Sequence, residues 1–218
     1  MLEDFLEPVL LSLEISFASG ILVIILGTLV GWLMVKKEFK GKVIIETIFL
    51  LPLVLSPTVI GFLLIVIFGK NSWLGQLIEW IFHQPILFTW WAAVIASSVV
   101  AFPLMYQAAK AGFQEIDSDI EGAASVDGAT KFQVFIYISV PLASKMLFAG
   151  SIMSFARALG EFGATLMFAG NIPGKTQTLP TAIYVAIDSG NMVLAWLWVA
   201  TTILISFLML LVIHAKSE

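Results

Sequence analysis

The sequence contains no cysteine and only two histidines, His83 and His214, among its 218 residues. These gaps exclude disulfides and thiolate metal sites, and they leave too few soft ligands for a transition-metal centre, so no metal site is predicted. Charge is also scarce, because 12% of the residues are charged and Arg157 is the single arginine. No stretch is interpreted as resembling a glycine-rich phosphate-binding loop that ends in Lys-Ser or Lys-Thr, so the chain is predicted not to bind ATP itself.

Long apolar runs dominate what remains. Hydrophobic residues make up 60% of the chain, and about 20 apolar helical residues cross a bilayer core of about 30 Å. The start, "MLEDFLEP", is acidic where a secretory signal is basic, so the first run is expected to be retained. We predict an all-α membrane protein with a single domain, 1–218, of about five transmembrane helices. The predicted spans lie near 8–35, 43–69, 88–109, 142–168 and 192–214.

The lysines orient these spans. Eight lysines fall on one side of a five-span topology: Lys36, Lys37, Lys40, Lys42, Lys110, Lys131, Lys145 and Lys216. Lys70 and Lys175 fall on the other side. Because basic residues accumulate in the cytoplasm, we predict an external N-terminus and a cytoplasmic C-terminus.

Prolines and tryptophans mark the spans. Pro52 and Pro57 lie inside the second span and Pro103 inside the third, where each removes a backbone donor and favours a kink. The kinks are interpreted either as simple packing features or as parts of a moving pathway. The tryptophans that flank the outer loop are interpreted as interfacial anchors: Trp73, Trp80, Trp90 and Trp91.

The longest polar section, 110–141, is too regular to be a linker. Ser118 or Asp119 is predicted to cap a short helix, Gly128 permits a turn, and Pro141 is predicted to close a second helical piece. Two short helices around a glycine form a projecting knob. Such a knob is interpreted either as a docking element for another cytoplasmic protein or as a surface hairpin without a partner.

Residues 121–141 carry a recognisable pattern. Glu121-x-Ala123-Ala124-x-x-x-Gly128, followed by Ile138-x-Val140-Pro141, resembles the "EAA" loop of permease subunits in ATP-binding-cassette importers. The resemblance implies the type I importer permease fold, with this loop acting as a coupling helix that contacts a separate ATPase, which binds ATP and Mg²⁺. The residues assigned to that contact are Glu121, Ala123, Ala124, Gly128, Ala129, Phe132 and Pro141.

Two further stretches narrow the family. "FARALGEFGATLMFAGNIPGKTQTLPTAIY", 155–184, and "LPLVLSPTVIGFLLI", 51–65, resemble molybdate permeases of the ModB type, and sulfate permeases share mainly "RALGEFG". This resemblance implies a homodimer in a bacterial or archaeal plasma membrane, with two ATPase subunits and an external oxyanion-binding protein, and without nucleic acid. The expected cargo is molybdate, and the expected mechanism is alternating access. The chain is therefore not expected to be an enzyme.

Arg157 and Glu161 form the one charge pair inside a predicted span. Their spacing of four places both on one helical stripe, and Ala156, Gly160 and Ala164 form a small-residue stripe beside them. Arg157 either attracts the oxyanion into the pathway or pairs with Glu161 to align a gate helix, and the second interpretation is preferred because a pathway holds its substrate weakly. The predicted gate or pathway residues are Arg157, Gly160, Glu161, Pro52 and Pro57.

Residues 171–178 are too polar to span a membrane and are predicted to form an external loop, followed by a short helix near 180–187. Lys175 could steer anions there. Three alternatives remain at this stage: a sulfate or tungstate importer, a secondary anion transporter that uses Arg157 and Glu161 for ion coupling, and an intramembrane hydrolase. The secondary transporter leaves the loop pattern unexplained, and the hydrolase lacks a Ser–His or Asp–Asp pair at matched depth.

Overall fold

The computed structural model describes residues 2–217, with the side chains of 4–212, so the side chains of His214 and Lys216 lie outside the description. Every regular element in this range is a helix, which confirms the all-α prediction. The helices are α1 Leu2–Lys36, α2 Lys42–Val54, α3 Pro57–Phe68, α4 Trp73–Phe82, α5 Trp90–Gln114, α6 Ser118–Val126, α7 Lys131–Val134, a π-helical segment Phe135–Ser139, α8 Val140–Leu142, α9 Ser144–Leu159, α10 Gly163–Phe168, α11 Leu179–Asp188 and α12 Met192–Ser217.

Three described helices, α1, α5 and α12, are long and apolar enough to cross a bilayer, and they match the predicted first, third and fifth spans. Two bent helix pairs raise the possible number to five. The first pair joins α3 to α4 at 66°, and the second joins Lys131–Leu142 to α9 at 77°.

The predicted second and fourth spans are not continuous helices. The second is divided where Leu55 and Ser56 adopt extended backbone angles between α2 and α3. The fourth is divided at 160–162, between α9 and α10. Pro57 does not kink a helix as predicted, because it occupies the first turn of α3, where its missing N–H costs nothing. Pro52 does lie inside α2.

Helices α1, α5 and α9 form the centre of the molecule. Close packing depends on glycine: a Cβ on Gly27 would lie 2.6 Å from Met105 Cγ, and one on Gly31 would lie 2.8 Å from Ala109 Cβ. Small residues at helix contacts let backbones approach within a membrane, where dispersion forces replace the hydrophobic effect. The resulting α1–α5 seam provides the frame that positions the loops at both ends.

The expected short helix near 180–187 is present as α11. The backbone N–H of Leu179 donates to Ser12 Oγ at 2.6 Å, and Trp198 Nε1 donates to the carbonyl of Phe5 at 3.0 Å. These bonds tie α11 and α12 to the first turns of α1. At the same end, Trp73 and Trp80 of α4 are largely exposed, as anchoring at a membrane interface requires.

Candidate functional site

The two breaks in the predicted spans lie against each other. A Cβ on Gly163 would lie 3.0 Å from Pro57 Cβ and 3.3 Å from the backbone nitrogen of Thr58. One turn further along α3, a Cβ on Gly61 would lie 2.6 Å from Met167 Cβ. We call the non-helical residues 55–56 and 160–162 the paired breaks. Their contact brings the predicted pathway residues Pro57, Gly160 and Glu161 into one region, and Pro52 lies in the last turn of α2, just before the first break.

Arg157 and Glu161 do pair, but not along one helix as predicted. Arg157 lies in the last turn of α9, and Glu161 lies in the break beyond it. Arg157 Nη1 is 2.8 Å from Glu161 Oε2, without the alignment of a hydrogen bond, so attraction of charge holds this contact. Glu161 Oε1 accepts a hydrogen bond from the backbone N–H of Ala164 at 2.8 Å. Glu161 therefore binds one end of α9 to the beginning of α10.

The pair is asymmetric in its exposure. Glu161 is 2% exposed, whereas 32% of the Arg157 side chain is exposed. A buried carboxylate is stable only when a cation and hydrogen-bond donors surround it, and Arg157 and Ala164 provide both. The cation reaches the surface of the chain, and the anion is enclosed. This arrangement lowers the net charge that Arg157 presents.

The predicted small-residue stripe is wrong as a continuous helical face. Ala156 and Gly160 are exposed, and Ala164 is buried. The reason is the end of α9 at Leu159, which removes the helical register that would align the three residues. Close approach instead occurs at Gly61 and Gly163, two positions that the sequence reasoning missed. Their signal was present, since both are glycines inside apolar runs that also carry a break.

Two exposed hydroxyl groups lie at the break between α2 and α3. Ser56 caps α3 by accepting from the backbone N–H of Val59 at 3.4 Å, and its Oγ lies 3.1 Å from Thr58 Oγ1. Both residues are exposed in the single chain. The break between α2 and α3 therefore presents two hydroxyl groups on the surface of the chain.

The predicted knob is present. Asp117, and not Ser118 or Asp119, caps α6: its side chain accepts from the backbone N–H of Asp119 at 2.9 Å, and Ser118 is the first helical residue. Gly128 has φ +91°, which confirms the predicted turn, because this left-handed conformation suits glycine. Pro141 lies within α8 and the helix continues to Leu142, so the proline does not end it.

Glu121 points into the protein and away from the exposed face of the knob. It forms an ion pair with Lys36 at the end of α1, and its Oε1 accepts from Ser139 Oγ at 2.7 Å. We call Lys36, Glu121 and Ser139 the loop clamp. Because its partners come from α1 and from the π-helical segment, the clamp fixes the knob to two other parts of the molecule.

The other residues assigned to the ATPase contact are divided between two environments. Ala123, Gly128, Phe132 and Pro141 are exposed, and Ala124 and Ala129 are half-buried. Val126, which is not among the residues assigned to the ATPase contact, is the most exposed large apolar residue of the knob, at 88%. The exposed residues Ala123, Val126, Gly128 and Phe132 form what we call the tip. Their contact with an ATPase stays a prediction.

A second ion pair joins α2 to α5 on the same side as the knob. Lys110 Nζ is 2.7 Å from Glu46 Oε1, and the Tyr106 hydroxyl donates to the same oxygen at 3.2 Å. The sequence reasoning counted Lys110 among the loop lysines, whereas the structure places it on α5. Glu46 is an acidic residue inside an apolar run, and such a residue usually has a charged partner. The sequence therefore contained a signal for this ion pair.

One stretch, 169–176, differs from the phosphate-binding loop only in having Ala169 at its first glycine, a likeness that the sequence reasoning missed. Its fold is different, however. The Thr176 side chain is buried, and its Oγ1 accepts from the backbone N–H of Ile172 at 3.0 Å. A phosphate-binding loop directs backbone amides to its ligand between a strand and a helix, and here the stretch follows α10 and folds on itself. Among the described residues, no cluster of His, Asp and Glu suited to a metal ion is found.

Comparison with known proteins agrees with this geometry. Residues 23–215 match the family described as the binding-protein-dependent transport system inner membrane component. YvgM of Bacillus subtilis (strain 168), named as a molybdenum transport system permease, is 68% identical over 98% of this chain and 94% of its own. ModB of Escherichia coli (strain K12), a molybdenum transport system permease, is 40% identical over 84% of this chain and 80% of its own. The sulfate permease CysW of Synechococcus elongatus is 34% identical over 78% of this chain and 60% of its own.

Solved structures show the same fold at low sequence identity. A bacterial alginate ABC transporter in complex with a periplasmic protein has a chain that aligns with a TM-score of 0.78 at 17% identity, over 99% of this chain and 79% of its own. The MetNI methionine ABC transporter, in inward-facing conformations, aligns with a TM-score of 0.71 at 17% identity, over 99% and 95%. The predicted resemblance to molybdate permeases is confirmed. The chain belongs to the inner membrane component family of binding-protein-dependent transport systems.

Proposed function

We propose that this chain is the membrane subunit of an ATP-driven importer that carries molybdate across the plasma membrane. The observation that carries the proposal is the 68% identity to a molybdenum transport permease across nearly the whole of both chains. Sulfate permeases are more distant, at 34% identity or less among the relatives compared. Molybdate is therefore the preferred cargo, and tungstate and sulfate are the alternatives.

ATP hydrolysis belongs to a separate subunit in this proposal. The tip supports a docking role, because Val126 and Phe132 are the most exposed large apolar side chains of α6 and α7. Apolar side chains at a small tip suit insertion into a groove on a partner. Glu121 contributes from behind the tip, by holding it to α1, and not by touching the ATPase directly.

A second copy of the chain completes the pathway. Arg157 is partly exposed, and the residues around it on α9, Met153 and Ala156, are exposed as well. Placing a cation on an exposed face of α9 in contact with lipid would cost free energy. In the assembled transporter this face therefore adjoins protein or water. We place the paired breaks of two copies on either side of an oxyanion pathway, with the Arg157–Glu161 pair aligning the gate.

The topology proposed for the chain has its N-terminus outside and its C-terminus in the cytoplasm. It is supported by the position of Lys36, Lys37 and Lys131, which come from two predicted cytoplasmic loops and line one cavity. Because the chain has no cysteine, single variants Lys40→Cys and Lys175→Cys provide unique labels. An impermeant maleimide added to intact cells is expected to label Lys175→Cys alone, and labelling of Lys40→Cys would overturn the topology.

Reconstitution tests the function. The permease, its ATPase and its external binding protein are placed in proteoliposomes, and uptake of radioactive molybdate is measured with ATP inside. We expect ATP-dependent uptake that excess tungstate inhibits and excess sulfate leaves unchanged. Calorimetry of the binding protein with the three oxyanions gives the matched measurement, and sulfate binding alone contradicts the molybdate assignment. Uptake that depends on an ion gradient and not on ATP favours a secondary transporter.

A further inference from the structure

A cavity of about 360 Å³ lies between the end of α1 and the knob. Trp32 and Lys36 line it from α1, Lys37 lines it directly after α1, Ser118 and Ser125 line it from α6, and Lys131 lines it from α7. Cavities of about 300–1,000 Å³ accommodate small ligands. We call this space the basal cavity. Nothing in the transport mechanism described above uses it.

The charge of the basal cavity suits an anion. Lys36 is neutralised by Glu121 in the loop clamp, whereas Lys37 and Lys131 form no ion pair in the described part of the chain. Two lysines without an ion-pair partner in the described part of the chain therefore line one small space. Lysine binds phosphate as a compact point charge, so a single tetrahedral anion between the two groups would offset both.

An aromatic side chain forms one wall of the basal cavity. Trp32 lines the cavity, and its ring packs against Phe135 with centroids 4.8 Å apart. Its indole Nε1 is enclosed by the protein, so the polar character of the cavity comes from the lysines and serines around it.

Exposed apolar side chains adjoin the cavity. Leu33, which also lines it, and Leu29, one turn earlier on α1, are both exposed in the way of residues that face acyl chains. Basic pockets at the cytoplasmic ends of transmembrane helices bind phosphorylated headgroups of anionic lipids. We propose that the basal cavity binds the phosphate of an anionic phospholipid of the cytoplasmic leaflet. This proposal rests on the proposed topology, and it assigns the lipid a place beside the loop clamp.

Native mass spectrometry of the complete transporter tests the proposal. The permease–ATPase complex is assembled in phosphatidylcholine nanodiscs that contain phosphatidylglycerol, transferred to mild detergent, and weighed with its retained lipids. Lys37→Gln/Lys131→Gln is expected to retain phosphatidylglycerol about 25-fold more weakly, because each lysine near anionic lipid contributes about five-fold.

The matched control is Lys40→Gln/Lys145→Gln. It removes the same charge from the same predicted side, at exposed positions that do not line the cavity, and is expected to retain lipid at the wild-type level. Equal loss in both double variants would indicate general surface charge and overturn the proposal. So would unchanged retention in Lys37→Gln/Lys131→Gln. Stoichiometric co-purification with the ATPase serves as the folding control for each variant.

Two other occupants are distinguished by further arms. If Lys37 and Lys131 bind the ATPase itself, their double variant loses the ATPase while retaining lipid, and the lipid proposal is wrong. If the occupant is a free anion, inorganic phosphate or molybdate binds the wild-type complex in pure phosphatidylcholine, and Lys37→Gln/Lys131→Gln abolishes that binding. Lipid retention does not depend on the cargo, so failure of the molybdate assignment leaves this test unchanged.

Discussion

Two buried glutamates, Glu161 and Glu121, show how one chemical arrangement serves two ends of the molecule. Each is nearly enclosed, at 2% and 9% exposure, and each contacts one cation and one hydrogen-bond donor. The partners of Glu161 are local, four residues before it and three after it. The partners of Glu121 are 85 and 18 residues away. Glu161 therefore shapes one segment, whereas Glu121 joins three.

This difference assigns different tasks to the two carboxylates. A local pair holds a helix break open at a defined angle and leaves distant elements untouched. A long-range clamp transmits any displacement of the knob to α1 and from there to the centre of the molecule. In the proposed importer, the clamp lies where ATPase movement enters the permease, and the local pair lies where that movement opens a pathway.

The largest loss is expected for Arg157→Gln. It leaves the enclosed Glu161 carboxylate without its cation, and breaking a buried pair in this way costs about 3–5 kcal/mol. Since about a third of the Arg157 side chain is exposed, we expect the lower end of that range. SDS-driven unfolding in mixed micelles measures the loss, and molybdate uptake is expected to fall with it.

Glu161→Gln separates charge from capping in the same pair. The glutamine oxygen still accepts from the Ala164 N–H and leaves only a partly hydrated arginine, so we expect a loss of about 1–2 kcal/mol. The double variant Arg157→Gln/Glu161→Gln is expected to recover part of the stability lost in Arg157→Gln. Wild-type stability of Arg157→Gln with abolished uptake would falsify the alignment role and indicate direct contact with the oxyanion.

Gly61→Ala is expected to have the next largest effect. Its Cβ would meet Met167 Cβ at 2.6 Å and the Ala164 carbonyl at 3.0 Å, so α3 and α10 must separate at the paired breaks. Overpacking of this kind costs about 1–3 kcal/mol. Gly122→Ala, beside the loop clamp, is the matched control, because its Cβ meets nothing within 4 Å. Equal stability of the two variants would show that the paired breaks tolerate separation.

Sequence reasoning found the architecture because its signals are strong and local. Apolar runs of sufficient length gave α1, α5 and α12, and the spacing of Glu121, Ala123, Ala124 and Gly128 identified the knob and the family. It failed where tertiary contacts override local pattern. Nothing in 142–168 shows that the helix ends at Leu159, since the end is set by Glu161 capping α10 and by Gly163 packing on Pro57.

The same limit applies to the side-chain direction of Glu121. A family pattern records that a residue is present, but it does not record which way the side chain points. Its pairing with Lys36 spans 85 residues and depends on how α1 ends beside α6. Only the folded chain brings them together. The sequence indicated the knob, but it could not show that Glu121 faces α1 and not the exposed tip.

Glu121→Gln is expected to cost about 1–2 kcal/mol, because Lys36 keeps access to water and Ser139 keeps an acceptor. Its clearer effect is on coupling: ATP hydrolysis by the assembled transporter is expected to continue while molybdate uptake per ATP falls. Lys36→Met combined with Glu121→Gln completes a double-mutant cycle, in which a coupling energy of about 0.5–3 kcal/mol identifies the clamp. Additive losses would mean that the two side chains act independently.

The smallest effect on stability is expected at the tip, with Val126→Ser and Phe132→Ala. These side chains are 88% and 68% exposed, so their removal changes the free energy of unfolding by less than about 0.5 kcal/mol. Assembly is expected to respond instead, since an apolar anchor in a partner groove contributes about 2 kcal/mol or more to binding. Co-purification with the ATPase measures this, with exposed Tyr137→Ser, outside the tip, as the control. If Glu121→Gln loses the ATPase and the tip variants keep it, the assignment is wrong. The Glu121 carboxylate would then be the docking residue, and the tip would not contribute to binding.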